Sequence, residues 1–261
     1  MEKNNFERII EVIDTLTGPN GCPWDKEQTP LTMCDYLVEE CFELVEAIRQ
    51  NDPSEIAEEL GDVLFLLLFI GRCHDREIPD FLHTALAGNV AKMIRRHPHV
   101  YGEKAASVAE VVTNWEQIKK QEKVEKDKDP GVFASLPASL PPLLRAYRIN
   151  SKAARAGFTW ASDTDQEAKL AEEWDELQAA LAGDDVAAKE EEFGDYLFSL
   201  VEYGRRRGIK ANSALAVANA KFLQRFEAME GLARERGLEL DRLSLTEMDA
   251  LWDEIKGMSS R

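Results

Sequence analysis

The sequence predicts an all-α protein, built as a tandem repeat of two helical-bundle domains that are each expected to dimerise. Three observations carry this. Ala, Leu, Glu and Lys dominate, and alternating β-branched runs are scarce. Glycine (15) and proline (10) are sparse among 261 residues, which argues against collagen, long disorder and most all-β designs. Finally, a series of motifs recurs in the same order in the second half of the chain.

The repeat spans nearly the whole chain. Gly21-Cys22-Pro23-Trp24 is echoed 136 residues later by Gly157-Phe158-Thr159-Trp160. Glu39-Glu40-Cys41-Phe42-Glu43 returns 133 later as Glu172-Glu173-Trp174-Asp175-Glu176. Glu58-Glu59-Leu60-Gly61-Asp62 returns, again 133 later, as Glu191-Glu192-Phe193-Gly194-Asp195. Lys92 and Arg96 match Lys221 and Arg225 at an offset of 129. Trp115 to Lys119 matches Trp252 to Lys256 at 137. Loop insertions account for the drift.

Taken in order, the first half is expected to form helices near 5–16, 31–50, 53–75, 81–96 and 108–122. Asp52-Pro53 reads as a helix stop followed by proline in an early helical position. The second half is expected to form helices near 142–154, 164–182, 184–207, 211–236 and 246–257, with Gly183 as the stop between the second and third. Between the halves lies a charge-alternating run, Lys123 to Asp129, followed by Pro130-Gly131 and Pro137. It reads as a linker. The expected domains are therefore 1–122 and 142–261, joined by 123–141.

The chain is 44% hydrophobic and 31% charged, with a net charge of −17. It can bury cores, but it lacks the clustered cations of a duplex-binding protein, so no nucleic-acid partner is expected. Residues 1–130 hold 15 cations against 26 anions, net −11, and the rest hold 17 against 23, net −6. The longest apolar run, Val63 to Ile70, is eight residues, short of the roughly 20 that cross a bilayer. Met1 to Glu11 carries charge throughout and has no apolar signal core. Cys22, Cys34, Cys41 and Cys73 form no CxxC pair. Together these predict a cytoplasmic protein with reduced thiols and no membrane partner.

The carboxylates carry the chemistry. Glu40 and Glu43 are three apart and share a helix face, as do Glu59 and Asp62 on the next helix. A short connection makes these helices antiparallel neighbours, so four carboxylates can converge. Glu173, Glu176, Glu192 and Asp195 repeat the pattern. A lone ExxE is ordinarily a solvated face. Here the pattern occurs twice at identical spacing, and each second helix runs on into apolar residues, so the anions border a core. Crowded anions there require a compensating cation. All-oxygen ligands favour a hard ion, Mg²⁺ with Mn²⁺ as the alternative. Di-iron bundles use Glu-x-x-His, and none of His74, His83, His97 or His99 sits three after a Glu of these motifs. Mg²⁺ commonly shares its shell with substrate phosphates. Lys221 with Arg225, four apart on one helix face, suits phosphate, and Trp252 with Lys256, also four apart, puts an aromatic and a charge over one ligand.

On these residues the sequence resembles the MazG family of nucleoside triphosphate pyrophosphohydrolases, in its two-domain bacterial form. The carriers are Gly21 to Thr29, EExxE at 39–43 and 172–176, EExGD at 58–62 and 191–195, Arg95 to Val100, and Trp252 to Lys256. The resemblance implies an all-α homodimer that hydrolyses NTPs and dNTPs to the monophosphate and pyrophosphate, by water attack at the α-phosphorus. Metal ligands would be Glu173, Glu176, Glu192 and Asp195, with Glu40, Glu43, Glu59 and Asp62 in the first half. Glu172 would orient or deprotonate the water. Lys169, Lys189, Lys221 and Arg225 would neutralise phosphate charge. Glu191, Trp252 and Lys256 would complete the nucleotide site, and Trp160 is a further candidate for the base.

The halves differ at two matched positions. Lys169 corresponds to Tyr36, and Lys189 to Ile56. The C-terminal domain is therefore expected to be the main catalyst, with the first slow, differently selective or regulatory. Two other readings compete: a non-catalytic nucleotide-sensing module using the same metal site, and a structural helical dimer with solvated carboxylates.

Overall fold

The helical periodicity of the sequence becomes eleven α-helices among the described residues of the computed structural model, and no strand occurs among them. The described residues are 4–102, 107, 110, 111, 114, 115, 118, 122 and 131–259. Two compact units divide the chain, Met1–Lys128 and Asp129–Arg261. No helix described is long and apolar enough to cross a membrane.

Unit 1 begins with α1 (Asn5–Thr17) and the short α2 (Pro23–Glu27). It continues with α3 (Met33–Gln50), α4 (Pro53–Asp75), α5 (Phe81–Arg96) and the short α6 (Pro98–Tyr101). A capping box starts α1: the Glu7 amide donates to Asn4 Oδ1 at 2.9 Å, and the Asn4 amide donates to Glu7 Oε2 at 3.1 Å. The sequence reading does not anticipate α2 and α6. Both start on proline, whose fixed φ suits a first turn and whose missing N–H costs nothing there. The expected start of α3 at 31 moves to Met33, because hydroxyls hold the preceding turn. The Thr29 amide donates to Thr32 Oγ1 at 2.9 Å, and that hydroxyl donates to Gln28 Oε1 at 2.8 Å.

The bend between α3 and α4 is built from three residues with separate tasks. Asn51 closes α3 in the left-handed region at φ 57°, which Asn tolerates better than most side chains. Asp52 caps α4 by accepting from the Ser54 and Glu55 amides. Pro53 opens it. Ile13, Met33, Leu66, Leu68, Phe69 and Cys73 form the core, so the apolar run of α4 is what α1 and α3 cover. The helix expected over 108–122 falls mostly outside the described residues; Glu110, Val111, Asn114, Trp115, Ile118 and Glu122 are described and are helical. Of the expected linker, 123–130 also lies outside them.

Unit 2 contains α7 (Pro142–Arg155), α8 (Asp163–Ala182), α9 (Val186–Arg206), α10 (Ala211–Glu235), a 3₁₀ turn (Leu240–Arg242) and α11 (Leu245–Ser259). Ser162 caps α8 by accepting from the Asp165 amide at 3.1 Å. Gly183 ends it, and Asp185 caps α9 through the Ala187 and Ala188 amides. Helices α8 and α9 thus form the same hairpin as α3 and α4, and α7 packs on α9. A separate core of Met229, Ala233, Leu251 and Ile255 joins α10 to α11.

Candidate functional site

Helix α8 places Lys169, Glu172, Glu173 and Glu176 at i, i+3, i+4 and i+7, which is one face. Helix α9 faces it with Glu192 and Asp195. Carboxylate oxygens of Glu173, Glu192 and Asp195 all lie within 4.8 Å of one another. Glu173 is buried, Glu192 half-buried and Asp195 exposed, so the trio runs from the hairpin interior to its surface. Glu176 stands outside the trio, with Oε2 3.9 Å from Lys169 Nζ. In unit 1 the converging oxygens belong to Glu40, Glu43 and Glu59, with Asp62 outside that trio.

Proximity of like charges shows in the acidity of these groups. Partial burial, then the charges of Glu176, Asp195, Glu173 and Glu191, push the Glu192 carboxyl above the ordinary range. Glu59 is pushed the same way by partial burial, a hydrogen bond with Glu40 and the charges of Glu43, Glu40 and Asp62. An oxygen-only set of mutually repelling, half-desolvated carboxylates fits a hard divalent cation, whose charge removes the repulsion.

Lys169 partly plays that role in unit 2. Its Nζ lies 2.8 Å from Glu172 Oε1 and 3.0 Å from Glu173 Oε1. Those two contacts, Glu172 first, raise the Lys169 pKa. Its counterpart Tyr36 instead packs edge-on against Trp24, centroids 5.9 Å apart.

The remaining cations differ between the units. Lys221 and Arg225 on α10 form no ion pair among the described residues, and neither does Lys189 on α9. On α5 the counterpart of Arg225, Arg96, is engaged: Glu122 accepts from Arg96 and also from Arg95. The Arg96 contact, with Arg95 adding to it, lowers the Glu122 carboxyl to about 2. Trp252 on α11 packs on Phe222 of α10 at 5.2 Å. Lys256 Nζ sits 5.9 Å from the Trp252 ring centre and 3.0 Å from Asp253 Oδ1. The aromatic and the charge are therefore paired, and Asp253 shares the ammonium.

A cavity of about 660 Å³ adjoins the carboxylates of unit 2. Lys169 and Glu173 form part of its lining, together with Trp160, Phe158 and Phe133. Asn150 and Gln166 also line it, and sequence reasoning missed both. Gln166 carries a usable signal, since it lies three residues before Lys169 on the same face. Asn150 carries none.

Comparison with known proteins places the chain in a family. The MazG nucleotide pyrophosphohydrolase domain matches residues 28–101. The chain is 38% identical over 257 residues to the nucleoside triphosphate pyrophosphohydrolase of Escherichia coli K12, covering 97% of each. It is 36% identical over 252 residues to the nucleoside triphosphate pyrophosphohydrolase/pyrophosphatase MazG of Thermotoga maritima, covering 97% of this chain and 96% of that one. A crystal structure of a mazG-related protein from Thermotoga maritima, 30% identical, aligns with 44% of this chain and 98% of its own at a TM-score of 0.40. The identity over the whole length of these relatives makes the chain a member of the MazG family of nucleoside triphosphate pyrophosphohydrolases.

Proposed function

We propose that the protein is a metal-dependent hydrolase that converts NTPs and dNTPs to the monophosphate and pyrophosphate, by water attack at the α-phosphorus, with unit 2 as the main catalyst. The carrying observation is the convergence of Glu173, Glu192 and Asp195 beside Lys169 and a cavity, with Lys221 and Arg225 in no ion pair among the described residues. Glu173, Glu192 and Asp195, with Glu176 at the edge, would hold Mg²⁺ or Mn²⁺, which supplies Lewis acidity toward phosphoryl oxygens and a bound water. Lys169, on meeting a triphosphate, exchanges its carboxylate partners for phosphate oxygens. That exchange also frees Glu172, which is exposed and would then accept a proton from the attacking water. Lys189, Lys221 and Arg225 neutralise charge growing on the leaving pyrophosphate. Glu191, Trp252 and Lys256 complete the nucleotide site.

A second reading applies to unit 1. Its trio lacks the lysine, and Arg96 is already neutralised by Glu122. This favours a slow or nucleotide-sensing role there. Self-association as a homodimer is part of the same reading. Val38, Phe42 and Val45 on α3 and Leu60 and Leu67 on α4 are exposed, and a second copy would cover them.

Incubation with Mg²⁺ and each NTP tests the proposal. Monophosphate plus pyrophosphate is the expected outcome. Diphosphate plus orthophosphate overturns α-phosphorus attack, and binding without products extends the sensing role to the whole protein.

A further inference from the structure

The segment from Gly157 to Ser162 joins α7 to α8, and its residues Gly157, Phe158, Thr159 and Trp160 form one wall of the unit 2 cavity. It contains no helix of its own. The matching stretch of unit 1 is longer: Trp24 precedes Glu40 by sixteen residues, whereas Trp160 precedes Glu173 by thirteen. Unit 1 coils that stretch into α2 and holds the Trp24 carbonyl locally, with Gln28 Nε2 donating to it at 3.0 Å. Unit 2 reaches for a distant residue. Arg206, the last residue of α9, donates through Nη1 to the Trp160 carbonyl at 3.1 Å and to Thr159 Oγ1 at 3.3 Å. Its Nε donates to Asp163 Oδ1 at 2.7 Å, and Nη2 lies 2.7 Å from the same oxygen. One planar fork thus fixes the wall and the first turn of α8 together, which the compact ammonium of a lysine cannot do. Only 17% of the Arg206 side chain is exposed, so solvent screens these contacts weakly.

Asp195, Ser199, Glu202 and Arg206 stand at i, i+4, i+7 and i+11 on α9, a single helical stripe. It runs from the carboxylate trio, past two residues of the cavity lining, to the clamp on the opposite wall. At the offset shared by the glutamate motifs, Arg206 corresponds to Cys73, a buried thiol in the unit 1 core. The clamp belongs to unit 2 alone.

We infer that Arg206 is a positioning residue of unit 2: it holds the Trp160 wall against α9 and so sets the shape of the cavity that receives the nucleotide. The inference rests on the function proposed above in placing the nucleotide beside Lys169 and Glu173. Arg206 acts at the open end of the α8–α9 hairpin, and the carboxylates are set from the bend at the other end. Its loss therefore loosens the seat and spares the reacting end. That removes binding shared by substrate and transition state, which raises KM and leaves kcat.

Arg206→Ala and Arg206→Lys in the full chain test this, with Arg207→Ala as the control. Arg207 also braces the end of α9 to α8, but it bonds to Glu167 and Tyr203 and not to the wall. Three measurements apply: steady-state pyrophosphate release, calorimetric nucleotide binding with Ca²⁺ replacing Mg²⁺, and acrylamide quenching of Trp160. The quenching is read as the difference between each protein and its Trp160→Phe form. In Arg206→Ala, KM and the Ca²⁺-nucleotide Kd should rise at least about tenfold, kcat should change less than about threefold, and Trp160 should become more accessible to the quencher. Arg206→Lys keeps a charge facing Asp163 but loses the fork, so it should show the same rise at nearly the parent Tm; it decides the matter if Arg206→Ala fails to fold. Arg207→Ala should keep KM and Trp160 quenching within about twofold of the parent. Unchanged KM and Kd in the Arg206 variants overturn the inference. So does a loss confined to kcat, unchanged Trp160 quenching, or an equal rise of KM in Arg207→Ala, which would reduce Arg206 to a helix brace. Binding by the wild type without pyrophosphate release refutes the hydrolytic reading alone, and the Kd ratios then decide the role of Arg206. Absence of binding by the wild type refutes both.

Discussion

Glu122 closes on Arg96 in unit 1: its Oε2 accepts from Nη2 at 2.5 Å and from Nε at 3.1 Å. Oε1 accepts from Arg95 Nη2 at 2.5 Å. A carboxylate thus sits on the guanidinium whose counterpart, Arg225, forms no ion pair among the described residues. The spacing that matches Trp115 to Trp252 puts Ser259 at the position of Glu122, so unit 2 has no equivalent carboxylate. Replacing Glu122 by Ala should free Arg96 for phosphate and strengthen nucleotide binding by unit 1 several-fold. Calorimetry of the full chain in a Glu173→Ala background checks this, and unchanged affinity sinks the idea.

The same pair has a pH signature. The folded-state pKa of Glu122 is depressed, so its stabilising effect is present above the ordinary carboxylate value of 4.5 and is lost as pH falls toward about 2. A Glu122→Gln variant should melt below the parent at neutral pH. The two melting curves should converge as pH drops through that window. A Tm difference independent of pH contradicts the assignment.

Unequal units predict unequal damage. Glu173→Ala should reduce pyrophosphate release by more than about a hundredfold, because even residues behind a metal ligand typically cost about 10–100-fold when removed. Glu40→Ala should cost far less. Steady-state rates of the two variants decide it, and equal losses would show both units to be catalytic.

Mg²⁺ should stabilise the protein, and increasingly so as pH rises. The folded-state values of Glu192 and Glu59 are raised, so ionising them costs the fold. Stability without metal should therefore fall as pH climbs from the ordinary carboxylate value through the raised ones. Saturating Mg²⁺ should close that gap, with a stabilisation of about 2.7 kcal/mol at a hundred times Kd. Thermal melts with and without Mg²⁺ across this pH range provide the measurement. A metal-induced Tm shift that survives Glu173→Ala together with Glu40→Ala would place the ion elsewhere.

Most helices were legible because local rules agree along the chain. Proline opens α4 and α7, Asp or Ser caps α4, α8 and α9, and apolar residues recur at helical spacing. The carboxylate faces followed from i, i+3 spacing on two helices joined by a tight bend. What escaped depends on contacts between distant residues. Gln166, a polar residue that the sequence reading does not single out, is buried against Ser199. The contact of Glu122 with Arg96 joins residues 26 apart across segments whose mutual approach no periodicity reveals. The resemblance assigns Lys169 to phosphate, whereas it also neutralises the acidic residues one turn along its own helix.

The bend between α3 and α4 acts as a mirror. Glu40 and Glu43 stand eleven and eight residues before Asn51, and Glu59 and Asp62 stand eight and eleven after it. In unit 2, Glu173 and Glu176 stand at the same two distances before Asp184, and Glu192 and Asp195 at the same distances after it. Each cluster is thus located by counting outward from a hinge, independently of what surrounds it. Such a centre can be copied whole and then re-equipped. Lysine or tyrosine at one neighbouring position, glutamate or serine at another, changes the task of a copy while its spacing along the chain stays put.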